Sequence, residues 1–352
     1  RVGFDRCFDR VPGSRALRVR YSAATLATPL NPSPLPFLAP EHIGRYAPKL
    51  KTIVDRILNS RGVVFVYSRF LFSGLYPLAI ALEHVGFSRY GDAPNMLERS
   101  SDDGDNIDNV TAIDNGRRRR REKKPSVAAG RGWKYVALTG NKDDFSSSFS
   151  RDMRAATSSE NADGSIVKVI LASSKAGEGL DLKFVREVHV LEPWYHFNRI
   201  EQVIGRAARN CSHAALPLEE RNLTVYLHAS LPPPARHGRQ QRRRQQQVPP
   251  LTQQRETVDL WAYRLAEVKQ RRIAEVERLL MDTAVDCPAN YHALYYDPRL
   301  LGVRVDMVTS QGRTIAGYPL GDHPVGHPLH PSRWQRPSCS PVIAAVADNN
   351  NN

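Results

Sequence analysis

Five short, mostly apolar runs recur along this chain, each separated from the next by helical spacing or turn residues. The first, Val63-Val64-Phe65-Val66, has no polar member at all, the pattern expected of a parallel strand buried on both faces. Tyr135–Leu138, Val167–Leu171, Glu187–Leu191 and Leu223–Leu227 follow it. Before the first run, Leu50, Ile53, Val54, Ile57 and Leu58 repeat at helical spacing; after it, Leu75, Leu78, Ala79 and Leu82 do the same. Strands that alternate with helices specify βαβ units, and so an α/β fold with a parallel sheet covered by helices on both faces.

That core is expected over residues 41–287, with two interruptions. Residues 91–132 lose apolar periodicity and run from an aspartate-rich stretch into Arg117–Arg121, Lys123 and Lys124. Residues 231–255 carry three prolines and an Arg/Gln tract. Both read as disordered surface insertions, because neither holds enough apolar surface to offset the entropy of ordering. Residues 1–40, ending in a proline-rich stretch, are expected to be a connector or a remnant of a preceding domain. Residues 257–281 carry the longest helical signal, with Trp261, Leu265, Val268, Val276, Leu279 and Leu280 near one face and charges elsewhere. Residues 288–352, proline-rich and ending in asparagines, are expected to be a mostly unstructured tail.

Composition narrows the partners. The net charge of +14 favours a polyanion such as DNA or RNA, although much of the excess sits in the two basic runs. No run of about 18 apolar residues is present, so no membrane span is expected. The N-terminus lacks the pattern of a signal peptide, which places the chain inside the cell. Four cysteines are scattered without C-x-x-C spacing, which predicts reduced thiols and no metal site, the Cys211/His213 pair included.

The chemistry is concentrated between Val167 and His213. Here a strand leads into the loop Ser173-Ser174-Lys175-Ala176-Gly177-Glu178-Gly179-Leu180-Asp181, then a second strand, then a helical stretch with Gln202, Gly205, Arg206 and Arg209. Arg206 and Arg209 are three apart and share a helical face. Gly205 leaves room for another backbone beside them. Two guanidiniums beyond the strand ends of a parallel sheet suit a polyphosphate, whose oxygens the planar fork holds in fixed geometry. Two ordinary surface arginines would be spaced the same way. His189 lies inside an apolar strand and reads as a satisfied core residue; Trp194 and Tyr195 read as packing residues that could also stack on a base.

The spacing Gln-x-x-Gly-Arg-x-x-Arg resembles motif VI of superfamily 2 helicases. The loop Ser173–Asp181 is similar to motif V, Val63–Arg69 to motif IV, and Thr139-Gly140 to a strand-end loop of the same family. YSRFLFSGLYPLAIALEHVGF, LEPWYHFNRIEQVIGRAARNCSH and ERLLMDTAVDC resemble the helicase-like ATPases of large nucleocytoplasmic DNA viruses. The resemblance implies the second RecA-like lobe of an ATP- and Mg2+-dependent helicase or translocase in viral transcription or genome handling. Arg206 and Arg209 would be arginine fingers, with Gln202 near the attacking water. Gly179, Asp181 and Gly205 would serve ATP binding and coupling. Ser68, Arg69, Thr139, Gly140, Ser173 and Ser174 would line a nucleic-acid track; Ser173-Ser174 replaces the family's usual Thr-Asp, which leaves the coupling acid absent.

The chain has neither a Gly-Lys nor an Asp-Glu dipeptide, so it contains no phosphate-cradling loop ending in Lys-Ser/Thr and no magnesium-binding acid pair. Starting at Arg1, it is expected to be a fragment or processed product, with a first RecA-like lobe upstream or in another chain as its partner. A viral RNA polymerase or transcription factor is a further implied partner, and the virion or infected-cell cytoplasm the implied location. The rival reading is a non-catalytic nucleic-acid-binding or assembly subunit of a viral transcription complex with a decayed motor.

Overall fold

The computed structural model describes residues 2–14, 16–23, 25, 35–98, 132–139, 149–174, 181–231, 256–283 and 304–319. The chain divides into two units: Arg1–Glu192 with Val203–Leu216 and Leu223–Ala229, and Pro193–Gln202 with Pro217–Asn222 and Ser230–Asn352.

The first unit is built on strands β3 (Val63–Tyr67), β4 (Ser88–Arg89), β5 (Lys134–Leu138), β6 (Val169–Ala172), β7 (Val185–Val190) and β8 (Thr224–Leu227). They form one six-stranded sheet in the order β4-β5-β6-β3-β7-β8, and every pairing is parallel. The expected α/β, RecA-like sheet is therefore present. β3 is central and wholly buried, as its unbroken apolar run requires. The chain leaves β3 for the β4 edge and returns through β5 and β6, over β3, to β7 and β8, so the connections leaving the adjacent strands β3 and β7 run in opposite directions along the sheet. Crevices at the carboxyl ends of strands beside such a reversal are where α/β sheets bind ligands.

Helices α3 (Pro48–Asn59) and α4 (Tyr76–His84) bury Ile53, Ile57, Leu78 and Leu82 in one cluster with Val64, Val66, Val169 and Leu171. Each fully buried aliphatic side chain contributes about 1.5–3 kcal/mol. On the opposite sheet face, Phe65, Val136, Ile170 and Val188 stand in register. Polar clamps fix the ends. Lys168 Nζ donates to the carbonyls of Ser60 (2.7 Å) and Gly62 (2.8 Å) at the start of β3. The Glu83 carboxylate, pushed up by burial, accepts from Tyr135 Oη and from the backbone N–H of Met96 and Leu97.

Two expectations change. The described residues of the stretch expected to be a connector reach the core: α1 (Val2–Cys7), β1 (Phe8–Arg10) and β2 (Val19–Tyr21), with the segment at Leu38, place Phe4, Phe8, Val19 and Leu38 in the α3/α4 cluster. Their rings interlock with Phe72 and Tyr76, at centroid distances of 5.6 Å and 5.9 Å from Phe4. Residues 91–98 also belong to the fold, since Met96 and Leu97 are buried; 99–131 and 232–255 lie outside the described residues.

The second unit contains the long helix α7 (Val258–Thr283) and an antiparallel hairpin of β9 (Arg304–Val308) and β10 (Thr314–Pro319). The hairpin stands inside the stretch expected to be a tail; 288–303 and 320–352 lie outside the described residues. Thr257 Oγ1 accepts from Leu260 N–H (3.3 Å) at the start of α7, the usual capping bond. The helix buries Ala262 and Ala266, while Trp261, Val268, Val276, Leu279 and Leu280, the expected apolar face, are exposed. The short side chains allow close packing on their side of the helix. Among the described residues no helix is long and apolar enough to cross a membrane.

Candidate functional site

Most of the residues singled out by sequence fall at two places, one at the amino end of β7 and one at the carboxyl ends of the strands. The first is a junction between the segment entering β7 and the end of α6 (Phe197–Ala207). Leu182 N–H donates to the carbonyl of Arg206 (3.2 Å), and Phe184 N–H to that of Ser212 (3.1 Å). His213 Nε2 bonds the Val185 carbonyl at 2.6 Å and its Nδ1 contacts Ser212 Oγ at 2.8 Å. Both ring nitrogens of His213 are thus engaged within the fold. Phe184 adopts a left-handed backbone (φ 62°), rare for a bulky residue, and its burial and bond to Ser212 hold it there.

Arg209 Nη1 stands 3.7 Å from Asp181 Oδ1, with both side chains about half exposed. Arg206 lies in the last turn of α6, partly exposed. Gly205 is exposed, with open space where a Cβ would project. Gln202 is exposed on the same helix, and the boundary between the two units falls directly after it. Gly179 lies outside the described residues.

The second place is the set of strand ends at β3, β5, β6 and β7. Ser68 N–H donates to Ala172 O (3.1 Å), and Ser173 N–H to Leu138 O (2.9 Å). Ser173 Oγ donates to Thr139 O (3.0 Å), which ties the ends of β5 and β6 together. Ser68, Thr139 and Ser173 are all buried, whereas Arg69 and Ser174 are partly exposed. Gly140 lies outside the described residues.

Glu192, which sequence reasoning passed over, organises the end of β3. Its Oε1 is hydrogen-bonded to Ser68 Oγ at 2.8 Å and its Oε2 accepts from the Arg69 N–H at 3.2 Å. Burial pushes its carboxyl up to about 7, against the lowering pull of those two hydrogen bonds and of the Lys49 and Arg69 charges. The adjacent Lys49 Nζ donates to Leu191 O (3.1 Å). An acid immediately after an apolar strand and before a proline was the available signal.

A second polar group, of which the sequence pointed only to His189, lies between β7, β8 and α3. His189 is fully buried, with Nε2 on Glu187 Oε2 (3.0 Å) and Nδ1 on His228 Nε2 (2.9 Å). That makes it the satisfied core residue its setting suggested. The Arg56 guanidinium lies over the Tyr226 ring at 4.2 Å. In the second unit, Trp194 is partly buried with Arg199 over its ring, and Tyr195 is exposed 6.3 Å from Trp261.

Arg206 and Arg209 offer cations to phosphate oxygens. Among the described residues no cluster of three His, Cys, Asp or Glu could hold a metal ion.

Residues 122–211 match the helicase conserved C-terminal domain. The chain's relatives come from large DNA viruses. A protein of Acanthamoeba polyphaga mimivirus classed as an ATP-dependent RNA helicase is 33% identical over 195 residues, 54% of this chain and 27% of that protein. The termination factor NPH-I homolog of African swine fever virus (isolate Warthog/Namibia/Wart80/1980) is 27% identical over 254 residues, 69% of this chain and 33% of that protein. A Frog virus 3 protein classed as a helicase is 31% identical over 128 residues, 36% of this chain and 12% of that protein. The chain thus spans a third or less of the length of these relatives.

Proposed function

We propose that this chain acts as the second motor lobe of an ATP-dependent nucleic-acid helicase or translocase. In this reading Arg206 and Arg209 complete an ATP site whose phosphate-cradling loop and Mg2+ ligands belong to a first RecA-like lobe. The observation that carries it is the junction described above. The Arg206 carbonyl is bonded to Leu182 and the Arg209 guanidinium lies beside Asp181, so both arginines adjoin the segment entering β7. Phosphoryl transfer is mostly positioning and charge neutralisation, so arginines arriving when two lobes close can gate it. Gln202 would lie near the attacking water, with Gly205 and Gly179 allowing close approach. Asp181 would couple the two ligands through Arg209.

Arg69 and Ser174 would contact the strand directly, with Gly140 beside them. Ser68, bonded to Glu192, and Ser173, bonded to Thr139, are buried with Thr139 and would shape that surface instead of touching the ligand. The polymerase or transcription-factor partner implied by the viral resemblance belongs to the same proposal. The test is a pair of assays on the chain. It should bind single-stranded nucleic acid with an affinity that falls as salt rises, and should release no phosphate from ATP. ATP turnover stimulated by nucleic acid from this chain alone would refute the division of the site between two lobes.

A further inference from the structure

The carboxyl end of β3 holds more order than a surface turn needs. Ser68 Oγ has two acceptors in reach, Phe70 O at 3.0 Å and Glu192 Oε1 at 2.8 Å, while Phe70 N–H donates to it at 3.1 Å. A hydroxyl has one proton, so it cannot donate to both. Every contact is met if Glu192 carries a proton and donates it to Ser68 Oγ, which then donates to Phe70 O, with Arg69 N–H on the other carboxyl oxygen. The π-helical turn Leu71–Leu75 closes over this arrangement. A Cβ at Gly74 would stand 2.2 Å from Ser68 Oγ and 3.1 Å from Glu192 Oε1, so only glycine fits. What the turn presents outward is a joint feature: the Arg69 guanidinium 4.3 Å over the ring of Phe70, which is 40% exposed.

We infer that Glu192 is the positioning residue of this turn, and that it holds Arg69 and Phe70 out as a combined contact for one unpaired nucleotide, phosphate on Arg69 and base on Phe70. The inference rests on the nucleic-acid reading above and adds the base-stacking member and the group that orients it. Aromatic rings beside cations are the sequence-tolerant way to hold single strands. The carboxyl's raised value near 7 fits the proton the hydrogen bonds require. The charged groups facing it are Lys49 from α3 and Arg69; the π-helical turn contributes none. Above that pH the carboxylate draws the Ser68 proton away from Phe70 O and places a negative charge beside Arg69.

The test uses the full chain and two fluorescent single strands of equal length, oligodeoxythymidylate and an abasic strand, read by anisotropy. Phe70→Ala should weaken binding to the thymidylate strand by roughly 10-fold, leave the abasic strand unchanged, and be rescued by Phe70→Trp. Arg69→Ala should weaken both strands and lower the salt slope by about 1. Wild-type affinity should fall several-fold from about pH 6 to about pH 8, across the carboxyl's shifted range. Glu192→Gln, which keeps the donor and acceptor of the neutral acid, should bind as the wild type does at the lower pH and lose that fall. Glu192→Ala should match Arg69→Ala, with thermal unfolding confirming that it folds. If the wild type binds while Phe70→Ala and Glu192→Gln are indistinguishable from it at every pH, this inference fails and the nucleic-acid reading stands. If the wild type binds neither strand, that reading fails and takes the inference with it.

Discussion

Arg209 and Asp181 meet at 3.7 Å although they belong to separate segments, one just beyond α6 and the other leading into β7. Half exposed on both sides, the pair contributes little to folding, because solvent screens it and both side chains lose freedom. Its significance would be positional. In a protein that includes the first lobe, Arg209→Ala should reduce ATP turnover by roughly 10³- to 10⁵-fold, the span for such arginines. Unfolding free energy should move by less than about 0.5 kcal/mol, and strand affinity should hardly change. Steady-state turnover, denaturant unfolding and strand titration on one preparation separate these outcomes. Near-normal turnover would remove the finger role.

The buried His189–His228 contact gives the chain an acid-sensitive point. Burial, with His189, Lys49 and Arg56 nearby, lowers the His228 pKa from its ordinary value near 6.5 to about 3. The folded state therefore resists a proton that the unfolded chain accepts. Stability from this residue is complete above about pH 6.5 and is lost as pH falls toward 3. Urea unfolding at pH 7 and pH 5 should differ by about 2 kcal/mol from this group alone. His228→Gln should lower stability at pH 7 yet remove that part of the pH slope. An unchanged slope would place the acid sensitivity elsewhere.

Much of the sheet was legible because buried parallel strands carry their own signal: Val63–Val66 is apolar at every position, and so is Val169–Ala172. The order of the strands was not legible, since nothing in Val169–Ala172 or Val185–Val190 says that both flank β3. Phe4, Phe8 and Val19 fell outside the reading because they reach the core from elements of three to six residues, too short to show a 2-residue or a 3.6-residue period, and Leu38 because it comes from a turn segment. At the candidate site, residue type and spacing pointed to Arg206 and Arg209. The internal use of the Ser68 and Ser173 hydroxyls depends on long-range partners, Glu192 and Thr139, that spacing does not reveal.

Met96 and Leu97 mark where the first insertion can be cut. Both are buried, and their N–H groups donate to Glu83. Replacing residues 99–131 with a short Gly/Ser linker should leave the thermal midpoint within a few degrees, because closure entropy changes slowly with loop length. Extending the deletion back to residue 95 should be far more costly, since it strands the Glu83 carboxylate without its two backbone donors. Differential scanning calorimetry of the two deletions compares them directly. A large fall in the first would mean that 99–131 packs on the sheet.

The N-terminal segment provides the sharpest test of the revised domain map. Phe8 is 3% exposed and lies 5.0 Å from the Tyr21 ring, 5.7 Å from Phe37 and 4.7 Å from Phe4. Removing a buried ring from such a cluster loses its transfer energy and leaves a cavity, about 3–5 kcal/mol for Phe→Ala in a core. For a detachable connector the same change would move stability by less than about 0.5 kcal/mol. Phe8→Ala should therefore lower the unfolding free energy of the chain by several kcal/mol, and Phe8→Leu, which refills most of the volume, by clearly less. Deleting residues 1–40 should expose Tyr76 and the inner faces of α3 and α4, giving an aggregating or molten product by near-UV circular dichroism. A cooperative transition at an unchanged midpoint after that deletion would restore the connector reading and confine the lobe to residues 41 onward.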